Sequence, residues 1–225
     1  MTKRIGSTKI LSSSSKALIK GKLIDIDDRA FVSIQLIKNI DFDKTTKIET
    51  PVFTSSNGVK GFMTLVKEKK IAITKIACYA IEGKTSKTAK EYGIQIKKTA
   101  YSATNLAKEI KKNKETSVIH FTSKFRRKEL YEALKKEKIA IEPVLVYNKT
   151  NTPSEIQDID AMLFFSPSQI DSFFSKNNLN INKPVFCIGP STAKHIKEKG
   201  YKNIIIAKVP SEKELIAILI EYYNK

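Results

Sequence analysis

The chain has 225 residues, 41% hydrophobic and 28% charged, which is the composition of a globular protein and excludes a largely disordered one. Its 41 Lys and Arg against 23 Asp and Glu leave a net charge of +18, a field that attracts polyanions. Two cysteines exclude a disulfide framework, no long apolar run marks a membrane span, and the basic start MTKRIGSTKILSSSSK lacks the apolar core of a signal peptide, so a cytoplasmic protein is expected.

In chain order, the apolar pattern predicts a strand near 9–12 (KILS), a short helix, and a long alternating run at 30–42 (AFVSIQLIKNIDF). Strands follow at 51–55, 75–80, 94–98, 117–121 and 139–147, separated by helices at 57–69, 85–92, 103–112 and 125–137. The last third continues with strands at 161–166, 184–188 and 203–207 and helices at 168–175, 191–199 and 211–223. Strands alternating with helices predict an α/β protein with doubly wound parallel sheets.

The chain also repeats itself. VFTSSNGVKGF (52–62) matches LFFSPSQIDSFF (163–174), placing Phe53 on Phe164, Ser55 on Ser166, Val59 on Ile170 and Phe62 on Phe173 at an offset of 111. KIACYAIEGKTSKTAKEYG (75–93) matches KPVFCIGPSTAKHIKEKG (183–200), with Thr85 on Thr192 and Gly93 on Gly200 at an offset of 107, and SATNL (102–106) faces SEKEL (211–215). Ordered matches of this kind predict two similar lobes. Counting strands assigns 42–143 to one lobe and 1–36 plus 150–225 to the other. LIKNIDF (36–42) and PVLVYNK (143–149) then cross between lobes and pair as a two-stranded hinge. A cleft between lobes is the expected ligand site. Cys78 and Cys187 fall in equivalent strands of different lobes and are read as small buried hydrophobes.

The charge is uneven, with 24 basic and 11 acidic residues between 42 and 149. The runs KEKK (67–70), KKNK (111–114) and KKEK (135–138) fall at predicted helix ends, where they complement the helix dipole. No His-Asp-Ser set or metal-ligand spacing is visible, and GKTSKT (83–88) lacks the full spacing of a phosphate-binding loop.

FTSSNGV, FFSPSQI, CIGPSTAKHIKEKG, VPSEKEL and FRRKELYEALKKEKIAIEPVLVYNK (125–149) together resemble the uroporphyrinogen-III synthase family, over most of the chain from about residue 36. The resemblance implies two α/β lobes joined by a two-stranded β-ladder, with the active site in the cleft. It implies a lyase of haem biosynthesis, without cofactor or metal, that closes hydroxymethylbilane with inversion of the last ring and loss of water. It gives Tyr147 a catalytic role and makes Thr54, Ser55, Ser56, Thr85, Lys124, Arg126, Ser166, Ser168 and Thr192 the substrate-binding candidates. The expected partner is this polycarboxylate, not nucleic acid or membrane, and the expected state is a monomer.

Each candidate has a plainer reading. Ser and Thr cap helices and turns, a tyrosine at a strand packs, and Lys124 and Arg126 belong to a solvated helix face. His120 and His195 are read as structural. The sequence also departs from the family pattern. LSSSS (11–15) stands where a Thr-Arg pair is expected after the first strand, Glu82 and Ser86 replace a glycine and an alanine in the first copy of the repeat, and Lys124 lies in the TSKF stretch that replaces an expected glycine. A non-catalytic tetrapyrrole or small-ligand binder of the same fold, and a nucleic-acid-binding protein, are the competing readings.

Overall fold

Among the residues described by the computed structural model, 1–42, 50–73, 76–124 and 128–224, periodic burial resolves into twelve strands and eight helices. The N-terminal segment holds β1 (Lys3–Ser7), α1 (Ser13–Ile19), β2 (Ile24–Asp28) and β3 (Val32–Leu36). The middle of the chain holds β4 (Pro51–Phe53), α2 (Ser56–Lys69), β5 (Ala77–Ile81), α3 (Lys84–Glu91), β6 (Gln95–Ala100), α4 (Ala103–Lys112), β7 (Ser117–Thr122), α5 (Glu129–Lys136) and β8 (Ala140–Leu145). After β9 (Tyr147–Asn151) come β10 (Ala161–Phe164), α6 (Pro167–Phe174), β11 (Val185–Cys187), α7 (Pro190–Glu198), β12 (Ile204–Ile206) and α8 (Glu212–Tyr223).

Residues 34–149 form one unit around a five-stranded sheet in the order β6-β5-β4-β7-β8, and every pair is parallel. Residues 1–33 with 150–225 form the other, around a parallel sheet in the order β12-β11-β10-β1-β2. The two orders are the same topology. Counted from β4 or from β10, the chain winds outward for three strands and then returns to the far side of its starting strand. In the second unit that return is made by the N-terminal segment, so β1 and β2 take the places of β7 and β8.

The repeat seen in the sequence sets the core of each unit. Phe53 of β4 meets Phe62 of α2 with ring centroids 5.4 Å apart, and their counterparts Phe164 and Phe173 meet at 5.6 Å. Phe121 of β7 completes the first cluster, 4.6 Å from Phe62. All five rings are fully buried. Gly93 and Gly200, matched in the repeat, both have positive φ (75° and 92°) just past the ends of α3 and α7, where a side chain would be strained. Cys78 in β5 and Cys187 in β11 hold the same place in their sheets, and burial pushes both thiols up to about 12.

Two glycines seat α2. A Cβ on Gly58 would collide with the backbone carbonyl of Phe121, and one on Gly61 would lie 2.6 Å from the Val146 carbonyl. The helix thus runs in contact with the backbone of β7 and of the residue that precedes Tyr147.

The first strand is Lys3–Ser7, not the KILS stretch at 9–12. Ile10 is 59% exposed, and Leu11 is held in a turn, its N–H donating to Asp28 Oδ2 at 2.7 Å. The pairing strands between the units are β3 and β9, rather than 36–42 and 143–149. Bonds from Ile37 N to Val146 O and from Thr152 N to Phe31 O run in antiparallel register on either side of them. Pro143, Val144 and Leu145 are unavailable to a hinge because they pair with His120, Phe121 and Thr122 of β7.

The N-terminal turn is tied to α8 through Glu212, whose carboxylate accepts from Ser12 N (2.7 Å) and Ser12 Oγ (2.6 Å) and pairs with Lys9 Nζ. Burial alone raises this carboxyl, but hydrogen bonds from Lys9 and from Ser12 and Ser15 outweigh it and hold the group down at about 2.

Two outcomes are expected. Gly58→Ala and Gly61→Ala each raise helix propensity, yet each lowers stability by roughly 1–3 kcal/mol in urea titrations, because the new methyl meets backbone that cannot move aside. Glu212→Gln destabilises the protein at pH 7. A depressed carboxyl stabilises above its unfolded value and loses that contribution as pH falls through the folded one, so the gap between variant and wild type closes between about pH 4 and pH 2, measured by urea titration across that range.

Candidate active site

In residues 34–149 the sheet turns back between β4 and β7, so the carboxyl ends of these neighbours are followed by chain leaving in different directions. Crevices of this kind are where open α/β sheets bind ligands. Here it holds a cavity of about 520 Å³ whose lining includes Thr54, Ser55, Tyr101, His120, Thr122 and Tyr147.

Ser55 is the N-cap of α2, and its Oγ accepts from Gly58 N at 3.1 Å. The same oxygen lies 3.1 Å from Tyr147 OH. Tyr147, the first residue of β9, is 8% exposed. The phenol is therefore held at the cavity wall by a hydroxyl that is itself fixed by a helix terminus. Thr54, one residue earlier, places Oγ1 2.9 Å from His120 Nε2, and His120 Nδ1 lies 2.9 Å from Tyr131 OH. Sequence reasoning assigned His120 to structure alone. Its period-two position in a strand is visible in the sequence, but its two hydroxyl partners come from the residue after β4 and from α5.

Thr85 and Thr192 occupy the first turns of α3 and α7, but neither is the cap. Gly83 and Gly189 are, and neither helix start has a capping side chain. The first amide N–H groups of these helices are thus not taken by a side-chain cap. Thr192 is 1% exposed, and Thr85 is also buried. Glu82, where the repeat has Gly189, leaves the cap to Gly83 one residue later, at a φ of 92°. Ser166 likewise stands at the N-cap of α6 without capping it, its Oγ 3.1 Å from Ser168 Oγ. Ser56 is the first residue of α2, and Lys124 is exposed in the turn after β7. Arg126 lies outside the described residues.

With β1 ending at Ser7, the residues that follow the first strand are Thr8 and Lys9, not LSSSS. A threonine followed by a basic residue is therefore present. Thr8 is fully buried, its Oγ1 donating to Leu163 O at 3.1 Å, and Lys9 Nζ lies 5.4 Å from the Phe165 ring centroid. Misplacing the strand concealed this pair. Ser12 instead caps α1, accepting from Ser15 N. His195, on α7, makes an exposed contact with Asp171 Oδ1 at 2.7 Å.

Among the described residues, no group of three or more His, Cys, Asp or Glu is placed to hold a metal ion, and no helix is long and apolar enough to cross a membrane. The cavity is lined by hydroxyls, the His120 imidazole and the Glu129 carboxyl, groups suited to hydrogen bonding and to transfer of single protons, while the uncapped start of α3 is not part of its lining.

No curated protein matches the chain. Solved structures share its fold. Uroporphyrinogen-III synthetase from Helicobacter pylori is 18% identical with a TM-score of 0.72, covering 99% of this chain and 100% of that one. A mutant uroporphyrinogen III synthase from Thermus thermophilus is 15% identical with a TM-score of 0.71, covering 99% and 98%. The family model for uroporphyrinogen-III synthase HemD matches residues 23–217. A match over that much of the chain means that it belongs to the uroporphyrinogen-III synthase family, the cyclising hydro-lyases of haem biosynthesis.

Proposed function

We propose that this chain closes hydroxymethylbilane to uroporphyrinogen III, inverting ring D and releasing one water, and that Tyr147 is the acid that lets the hydroxyl leave. The bond between Tyr147 OH and Ser55 Oγ supports this role for the tyrosine. Ser55 Oγ accepts from Gly58 N and keeps its own hydrogen, which in this reading it donates to the phenol oxygen once the substrate takes the phenolic O–H. That bond stabilises the phenolate and leaves the phenolic O–H directed to substrate. As the C–O bond of the bilane breaks, the oxygen takes the electron pair and the Tyr147 proton and departs as water, the pyrrole nitrogen supplies electrons to the new exocyclic double bond, and the proton lost from the pyrrole carbon that forms the closing C–C bond restores the phenol. Ring closure through a spiro intermediate then requires the flexible chain to be held in one fold, which is catalysis by positioning.

The substrate carries carboxylates on every ring. The hydroxyls of Ser55, Ser56, Ser166, Ser168, Thr54, Thr85 and Thr192, and the amides at the uncapped starts of α3, α6 and α7, are the groups that bind them in this reading. Lys124 and Arg126 add positive charge beyond β7. The net charge of +18 serves the same polycarboxylate and not nucleic acid, and the protein works as a cytoplasmic monomer.

The test is incubation with freshly made hydroxymethylbilane, with no metal or cofactor added, and separation of the product isomers. Unassisted closure gives the type I ring, so type III product is the expected result, and type I alone with folded protein in excess overturns the reading. Tyr147→Phe keeps the ring and removes the hydroxyl. It is expected to slow turnover by roughly 10²- to 10⁴-fold with the fold intact. Ser55→Ala is expected to slow turnover less and to cost about 1 kcal/mol of stability through the lost cap, which separates it from Tyr147→Phe in urea titrations.

A further inference from the structure

The imidazole of His120 is a second buried polar group at the same cavity, 1% exposed in β7. Its two ring nitrogens each face a hydroxyl at 2.9 Å, Nε2 facing Thr54 and Nδ1 facing Tyr131. Tyr131, on α5, also packs against the ring, with centroids 5.6 Å apart. A neutral imidazole has one N–H and one lone pair, so one hydroxyl donates to it and the other accepts from it. A phenol is a stronger acid than an alcohol. Tyr131 therefore donates to Nδ1, the ring proton sits on Nε2, and Nε2–H donates to Thr54 Oγ1. With that lone pair engaged, Thr54 turns its own hydrogen away from the ring.

We infer that Tyr131 and His120 are positioning residues that present the Thr54 hydroxyl to the cavity as a hydrogen-bond donor for a carboxylate of the tetrapyrrole. The inference rests on the reaction proposed above and adds the direction of one hydrogen-bond chain. The opposite tautomer has the opposite consequence. Thr54 would then donate into the imidazole and show the cavity only lone pairs, which repel a carboxylate.

The chain has two histidines, so the imidazole region of a ¹⁵N spectrum contains two residues, and His195→Gln assigns them. The expected spectrum has the His120 proton on Nε2, and Tyr131→Phe is expected to move it toward Nδ1 or to average the two sites. In kinetics, Thr54→Val and Tyr131→Phe are each expected to raise KM for hydroxymethylbilane about fivefold, the scale of one hydrogen bond, with kcat within about twofold. The double variant is expected to match Thr54→Val alone, because Tyr131 acts through Thr54. A proton on Nδ1 in the wild type, an unchanged KM in Thr54→Val, or effects that multiply in the double variant overturn the inference. If the wild type yields only type I product, the reaction is refuted instead. Uroporphyrin III titration then decides the inference, which requires about fivefold weaker binding by Thr54→Val and fails if the two proteins bind alike.

Discussion

The seating of α2 against bare backbone is the contact on which the candidate site depends. Gly58 lets the helix touch the Phe121 carbonyl, and Gly61 lets it touch Val146. That approach brings Phe62 within 4.6 Å of Phe121, closing the aromatic cluster, and puts Ser55 within hydrogen-bond reach of Tyr147. A glycine in a helix interior costs about 1 kcal/mol relative to alanine. The offset comes from packing and from a phenol whose position is set by backbone, which is the stiffest support a side chain has.

Helix starts divide into two kinds. Ser12, Ser55, Ser102 and Ser211 cap α1, α2, α4 and α8 by accepting a backbone N–H. Gly83, Lys128, Ser166 and Gly189 leave α3, α5, α6 and α7 without such a bond. Each missing cap forgoes a stabilising bond and leaves amide donors at the positive end of a helix dipole. These four helices follow β5, β7, β10 and β11, strands next to or at the switch point of their sheets. These open donors support the proposal that anionic substrate groups stand in place of side-chain caps.

Charge is distributed in the same spirit. In the unit of residues 1–33 and 150–225, cations are engaged locally: Arg29 and Arg4 on Asp27 at 2.7 and 3.3 Å, Lys16 on Asp28 at 2.8 Å, and Lys9 on Glu212. Exposed pairs of this kind contribute little stability, but they cancel field. The excess of positive charge lies between residues 42 and 149, the part of the chain that also holds Tyr147 and its cavity. A polycarboxylate is drawn toward that excess by long-range attraction, before any specific bond forms.

The sequence by itself determined the class of fold and the repeat, because both rest on local patterns. Phe53 and Phe62 recur as Phe164 and Phe173 since each lobe needs the same strand-to-helix contact, and Gly93 and Gly200 recur since each helix ends in the same left-handed turn. It did not locate β1 or β2. KRIGS has no strong apolar run, and IDIDD is an edge strand in which Ile24 is its only buried residue, whereas KILS looks like a strand yet leaves Ile10 in solvent. Placing the strand six residues late also hid Thr8 and Lys9. Tertiary structure decided the rest: which backbone Gly58 and Gly61 touch, which strands pair between the units, and that His120 stands between Thr54 and Tyr131. Those contacts join residues 11 to 121 positions apart, and their geometry is fixed by sheet order and register, which no periodicity within a single segment encodes.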